Sequence, residues 1–180
     1  MLKAFLLRQV DALERRWTYD ANYMRHMIQV RPLSGLKFGL GTQAMNRADA
    51  PAEALAAAGL VGTLGEDCGP CTQISVDMAA AGGVDPKILR AILAGDAAAM
   101  GETAALAWRF CRASLARDME AADPLRDEIV RRWGDKGLLA IGLTLTAARM
   151  YPTLKYALGH GRACSRVTVA GEPAPLHLAA

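Results

Sequence analysis

Aromatic side chains are scarce: three Phe, three Trp and four Tyr among 180 residues. Runs of β-branched residues are equally few, so the sequence holds little of what pleated sheets are built from. Alanine and leucine dominate instead, and both favour helices. An excess of one charge is also missing. The 21 Lys and Arg against 18 Asp and Glu leave a formal charge of +3, and the arginines are scattered. That excludes the clustered basic footprint of a nucleic-acid partner. Long apolar runs are lacking too. The stretch from Leu2 to Leu7 is followed at once by Arg8 and then Asp11, too short for a secretory signal. The longest run, residues 137–148 between Lys136 and Arg149, falls short of the roughly 20 residues a membrane span needs and reads as a buried core helix. These absences predict a cytosolic protein with no membrane or nucleic-acid partner, and the length suits one domain with a sizeable core.

Apolar spacing and helix-end chemistry predict an all-α single-domain bundle. Helical periodicity runs through residues 2–30 until Arg31-Pro32, because the residue before proline avoids the α region. A weaker helix, interrupted by Gly35, Gly39 and Gly41, covers 33–48. Asp49-Ala50-Pro51 signals the start of an alanine-rich helix over 51–64. Another runs from the cysteine pair to Ala81 and is closed by Gly82-Gly83. Asp85-Pro86 opens a short helix to Ala94, and a further helix spans 98–119. Asp123-Pro124 opens the next, ended by Gly134, and the last covers 135–158 with Pro152 expected to kink it. Residues 166–169 read as a short strand or an extended tail. The organisation is thus N-terminal helices over 1–48, a core over 50–160 and a tail over 161–180.

Of four cysteines, two stand in Cys68-Gly69-Pro70-Cys71, directly after Glu66-Asp67 and at a predicted helix start. Two cysteines at this spacing can close and reopen a small disulfide, and in a reducing compartment such a pair points to catalysis or metal binding rather than to a structural bridge. A thiolate at a helix N-terminus faces unpaired N–H groups and the positive end of the helix dipole, which lower its pKa. Two adjacent carboxylates oppose this. The bland reading is two small buried apolar residues. A zinc site would need about four ligands, and only His160 and Cys164, far along the chain, could join the pair. No metal or cofactor is therefore expected. The same four residues form the thioredoxin motif, but no preceding strand supports that fold here.

A longer match continues beyond the motif: an alanine-rich continuation, Gly82-Gly83-Val84-Asp85, the helix Ile88-Leu89-Arg90-Ala91-Ile92 and then a helix over 101–117. In this order residues 50–160 resemble the alkyl hydroperoxidase D-like branch of the carboxymuconolactone decarboxylase family. The resemblance implies an all-α fold, a homo-oligomer (dimer, trimer or hexamer) and a dithiol that reduces peroxides. By analogy Cys71 would attack and Cys68 resolve, whereas the helix dipole alone favours Cys68 as the more acidic thiol, so the order stays open. The branch carries a histidine one turn after the second cysteine, where this chain has Ser75, and a glutamate upstream, where it has Ala56. Glu53 and Glu66 are the nearest acids. Muconolactone decarboxylation is not expected.

The candidate site residues are therefore Cys68 and Cys71, with Glu66, Asp67 and Ser75 as auxiliaries. The expected activity is reduction of a small-molecule peroxide or disulfide, recharged by a thiol reductant. The competing reading is an oligomeric ligand-binding or interaction module that has lost the chemistry. Elsewhere, Cys111 lies in an apolar stripe and reads as core, and Cys164 as an inert thiol or a third redox thiol. The aromatic and polar segment from Trp17 to His26 reads as an amphipathic helix against a partner, or as a pocket mouth. His160 suits a helix C-terminus, His177 an exposed tail, and Arg109, Arg112 and Arg117 a solvated face. Tyr151, Lys155 and Tyr156 suit a ligand contact or a subunit interface.

Overall fold

The computed structural model describes residues 1–45, 48–161 and 166–176. Its helices are α1 (Leu2–Trp17), α2 (Asn22–Val30), α3 (Pro32–Met45), α4 (Ala52–Leu64), α5 (Gly69–Ala81), α6 (Pro86–Ala94), α7 (Gly101–Ala116) and α8 (Met119–Ala157). A two-stranded antiparallel hairpin, β1 (Thr168–Val169) and β2 (Glu172–Pro173), follows them. The fold is all-α, and no helix among the described residues is long and apolar enough to cross a membrane.

At the centre lies α4. Ala54, Ala56, Ala57, Ala58, Leu60, Val61, Gly62 and Thr63 are all buried, as expected of a helix that is apolar on every side. Helices α5, α7 and α8 pack around it. The core continues through Leu89, Ile92 and Leu93 of α6, Ala104 to Ala107 and Phe110 of α7, and Ile129, Ile141 and Leu145 of α8. Small residues on α4 let its neighbours come close. A Cβ placed on Gly62 would lie 2.8 Å from the Ala148 Cβ and 3.0 Å from the Leu145 carbonyl oxygen.

A second, smaller cluster joins the N-terminal helices to this core. Leu6 and Val10 of α1, Tyr19 and Ala21 of the following turn, and Tyr23 and Ile28 of α2 are buried against Ile74, Tyr151, Leu154 and Leu158. Helix α3 docks on α8 through the Tyr151 hydroxyl, which donates to Thr42 Oγ1 at 2.7 Å, and through an edge contact between the Phe38 and Tyr151 rings.

Several boundaries differ from the sequence expectation. The helix expected over 2–30 breaks after Trp17, where Thr18 turns left-handed with φ 48°. The Ala21 amide then donates to Glu14 at 3.0 Å and the Asn22 amide to Asp20 at 3.0 Å, which fixes the turn. Asp49 does not cap α4, whose N-cap is Pro51. The helix expected over 98–119 ends at Ala116, because Arg117 is left-handed with φ 60°. Asp118, not Asp123, caps α8 by accepting from the Ala121 amide at 3.0 Å, so Pro124 lies inside that helix. The break expected at Gly134 is present, with φ 68°, a conformation glycine adopts without penalty. Helical torsion angles run unbroken through Pro152. At the C-terminal end the segment expected as a strand or tail is a hairpin whose Val167 and Val169 are buried in the core. The Gln73 side-chain amide holds its first strand, donating to the Thr168 carbonyl at 3.1 Å and accepting from the Thr168 amide at 2.7 Å. Arg90 donates to the carbonyls of Val169 and Pro173 at 3.1 Å.

Replacing Gly62 by leucine is expected to destabilise the protein by roughly 1–3 kcal/mol or more, the cost of overpacking a filled interior. Urea unfolding of the variant should show a lower midpoint with an unchanged slope. An unchanged midpoint would mean that α4 and α8 are free to separate.

Candidate functional site

The α4–α5 turn positions the cysteines. Helix α4 ends at Leu64, and Asp67 takes a left-handed conformation with φ 48°. Cys68 is then the N-cap of α5, in extended conformation with φ −110° and ψ 91°. Pro70 fits the first turn because its missing N–H has no partner to serve there. The Cys68 carbonyl accepts from the Thr72 amide at 2.9 Å and from the Thr72 hydroxyl at 3.0 Å, which locks the start of the helix. The Cα atoms of Cys68 and Cys71 lie 5.3 Å apart, and the two residues form a disulfide. Both are buried, 3% and 2% exposed.

The auxiliaries proposed from sequence lie close by, but the Glu66 carboxylate, the Ser75 hydroxyl and the Asp67 carbonyl have other partners. Glu66 accepts from Arg149 Nε at 2.6 Å and from the Thr153 hydroxyl at 3.4 Å, so the charge next to the motif is neutralised by α8. The Ser75 hydroxyl donates to the Cys71 carbonyl at 2.9 Å rather than to a sulfur. The Asp67 carbonyl accepts from the Tyr156 hydroxyl at 2.6 Å. Among the described residues neither a histidine nor a carboxylate hydrogen-bonds either sulfur.

The group that does reach a sulfur is Tyr19. Its hydroxyl lies 3.8 Å from Cys71 Sγ and 3.3 Å from the Tyr23 hydroxyl, to which it donates. A disulfide sulfur carries no proton, so toward Cys71 the tyrosine is also the donor, and its one proton is shared between two acceptors. Burial pushes the Tyr19, Tyr23 and Tyr151 hydroxyls above their ordinary pKa. Behind Tyr19 stands Lys155 of α8, 2% exposed, its Nζ 5.6 Å from the centroid of the Tyr19 ring. That Nζ has no hydrogen-bond partner among the described residues. Burial lowers its pKa and the charge of Asp20 partly opposes this. A buried ion without a partner costs several kcal/mol, and a cation–π contact returns only about 0.5–2 kcal/mol of it.

Sequence reading placed Tyr19 in an aromatic segment and Lys155 beside Pro152 without connecting either to the cysteines. No signal links positions so distant in the chain. The nearest hint was Lys155 itself, a cation inside an apolar helix run. His26 and His160, read separately, also come together, with Nδ1 of one 3.2 Å from Nε2 of the other. Cys111 is buried core as expected, and desolvation raises its thiol pKa. Cys164 and His177 lie outside the described residues. Among the described residues no three His, Cys, Asp or Glu side chains gather to hold a metal ion. A cleft of about 490 Å³ opens on another side of α8, lined by Phe38, Leu115, Leu145, Arg149 and Met150. Arg149, paired with Glu66, is its link to the motif.

No family model, no curated protein and no solved structure matches this chain.

The tyrosines and the lysine set opposite pH responses. A tyrosine whose folded pKa is raised keeps its proton where the unfolded chain releases it, at about pH 10. Its contribution is whole below that pH and is lost above it. Lys155 has a lowered folded pKa, so unfolding takes up a proton between that value and about 10.5, and in that interval this residue alone makes stability rise with pH. The melting temperature is expected to fall steeply above about pH 10, and less steeply in Tyr23→Phe. Thermal melts across an alkaline pH series check this, and identical slopes for the two proteins would remove Tyr23 as a source.

Proposed function

We propose that the protein is a dithiol oxidoreductase that cycles Cys68 and Cys71 between dithiol and disulfide. The observation that carries this reading is the disulfide at the N-terminus of α5 with a tyrosine hydroxyl on the Cys71 sulfur. Helix start and hydroxyl both favour a negative sulfur, and a thiolate is the reactive form. The resemblance to the alkyl hydroperoxidase D-like branch supports a peroxide as oxidant and a homo-oligomer, and the short apolar runs of the sequence suit a reducing, cytosolic compartment. A small disulfide is the other oxidant class the same pair could reduce.

In this reading Cys71 attacks. Its thiolate takes the terminal oxygen of a hydroperoxide, the O–O bond breaks, and the alcohol leaves after gaining a proton. Cys71 is then a sulfenic acid. The Cys68 sulfur attacks it, the S–S bond forms, and the hydroxyl leaves as water with the Cys68 proton. Two thiols and one hydroperoxide give one disulfide, one alcohol and one water. A dithiol reductant returns the two electrons and two protons and becomes a disulfide itself. Tyr19 is a proton donor within reach of the reacting sulfur, a place that Ser75 and Glu66 do not occupy because their polar atoms are bonded elsewhere. Both sulfurs are buried, so a substrate reaches them only when the residues covering them shift.

Cys71→Ser is expected to abolish peroxide consumption, and Cys68→Ser to leave one turnover but no cycle. Peroxide consumed per protein after reduction and removal of free thiol, with mass detection of a disulfide in the wild type against a lasting sulfenic acid in Cys68→Ser, measures both. The pair should titrate as a reversible couple at roughly −200 to −320 mV. Peroxide consumption that survives in both serine variants would end this proposal. Separately, Ser75→Ala should change the rate by less than about twofold, since the hydroxyl serves a backbone carbonyl.

A further inference from the structure

Lys155 presents a problem that the oxidised state leaves unsolved. Its ammonium is withdrawn from water, lies over the Tyr19 ring and has no hydrogen-bond partner among the described residues. The nearest acid that acts on it, Asp20, is exposed and accepts a hydrogen bond from the Asn22 amide instead. The other titratable groups around Tyr19 are Tyr23 on α2 and Tyr151 on α8. Both stay neutral at physiological pH, since burial raises their pKa. Among the described residues the other acids nearby are paired away from it: Asp11 and Glu14 of α1 with Arg25, and Glu66 of the α4–α5 turn with Arg149. The disulfide is neutral, so an anion appears here only when it opens.

We propose that Lys155 is the counter-charge of the thiolate that Cys71 becomes on reduction, acting through Tyr19, and that it thereby makes the disulfide easier to reduce. This rests on the dithiol reading above. In the step concerned, a dithiol reductant attacks the disulfide and the Cys68–Cys71 bond breaks. Two electrons pass to the cysteines. Cys68 takes one of the two protons the reductant gives up, Cys71 keeps its electron pair as thiolate, and the second proton goes to solvent. The reductant leaves as a disulfide. The anionic sulfur is a stronger acceptor than the Tyr23 hydroxyl, so the shared Tyr19 proton turns to Cys71. The negative charge then meets the hydroxyl of a ring that carries the ammonium over its face. Lys155 touches neither substrate nor sulfur and is a positioning residue.

The test compares the wild-type chain with Lys155→Met, Lys155→Arg and Tyr19→Phe. Each protein is reduced with dithiothreitol and alkylated with iodoacetamide across a pH series, with mass detection at each cysteine, and its potential is read against a dithiothreitol buffer. Lys155→Met is expected to lower the Cys71 thiolate fraction at neutral pH about tenfold. A tenfold loss in the reduction equilibrium corresponds to a potential about 30 mV more negative. Lys155→Arg should restore both values, and Tyr19→Phe should shift them in the direction of the methionine variant. The oxidised form of Lys155→Met should melt higher than the wild type, because an unpaired buried charge is gone, while its reduced form should not. A merely structural lysine would move both melts together and leave the alkylation profile alone. Wild-type alkylation profile and potential in Lys155→Met overturn the inference. Should that variant fail to fold, an unchanged profile in Tyr19→Phe overturns it equally. A wild-type chain with no reversible couple defeats the dithiol reading itself, an outcome distinct from either.

Discussion

The molecule depends on burying a helix that has almost no solvent face. Along α4 only Ala52 is exposed. Its backbone polar groups are satisfied within the helix, which allows such burial without an unpaired N–H or C=O. Side-chain size then decides how near α8 can come. At Gly62 the two helices approach so closely that even a methyl group would press on the Ala148 side chain and the Leu145 carbonyl. The alanines of α4 look featureless as a sequence, yet their smallness lets three helices pack on one. A bulkier helix would push its neighbours outward and carry the cysteine turn with them.

That turn carries the disulfide. The chain leaves α4, reverses at Asp67 and enters α5 with Cys68 as cap. Both ends of the reversal are tied to α8, by the Glu66–Arg149 ion pair and by the Tyr156 hydroxyl on the Asp67 carbonyl. An ion pair this exposed contributes at most about 1 kcal/mol, but it also cancels a negative charge beside the cysteine motif. The second arm of α8, beyond Gly134, thus carries three groups that bear on the motif: Arg149, Tyr156 and Lys155. Arg149 and Tyr156, seven residues apart, share one face, and Lys155 lies about 100° round the helix from Tyr156, so one element holds the cysteine turn with one face and reaches Tyr19 with another.

The helices were legible because their signals are local. Gly82-Gly83 ends α5 and Asp85-Pro86 starts α6 where capping chemistry places them. The errors arose where two local signals competed. Periodicity across residues 2–30 outweighed the weak turn at Thr18, and Asp123-Pro124 resembled a better helix start than Asp118. The Cys68–Cys71 disulfide was legible since spacing alone suggests one. Its surroundings were not. Tyr19 meets Cys71 across 52 positions, and only the folding of α1 and α2 over α5 brings them together. A sequence states which residues exist near the motif in the chain, and so it offered Ser75 and Glu66. It does not state that the hydroxyl of one serves a carbonyl and the carboxylate of the other serves an arginine.

Cys111 shows what burial does to a thiol with no help. It is wholly enclosed in the core, and desolvation alone raises its pKa far above the ordinary thiol value. Cys71 is nearly as enclosed, 2% exposed, and once reduced it would meet the same penalty. The difference between an inert core thiol and a reactive one must then come from fixed partners that replace the lost water. On the reading proposed above Cys71 has them: the start of α5, the Tyr19 hydroxyl and the Lys155 ammonium over that ring, whereas Cys111 lies within α7 with apolar neighbours. In a medium of low effective dielectric each such partner acts more strongly than it would at the surface. The enclosure that silences Cys111 is therefore what gives weight to the few polar groups placed around Cys71.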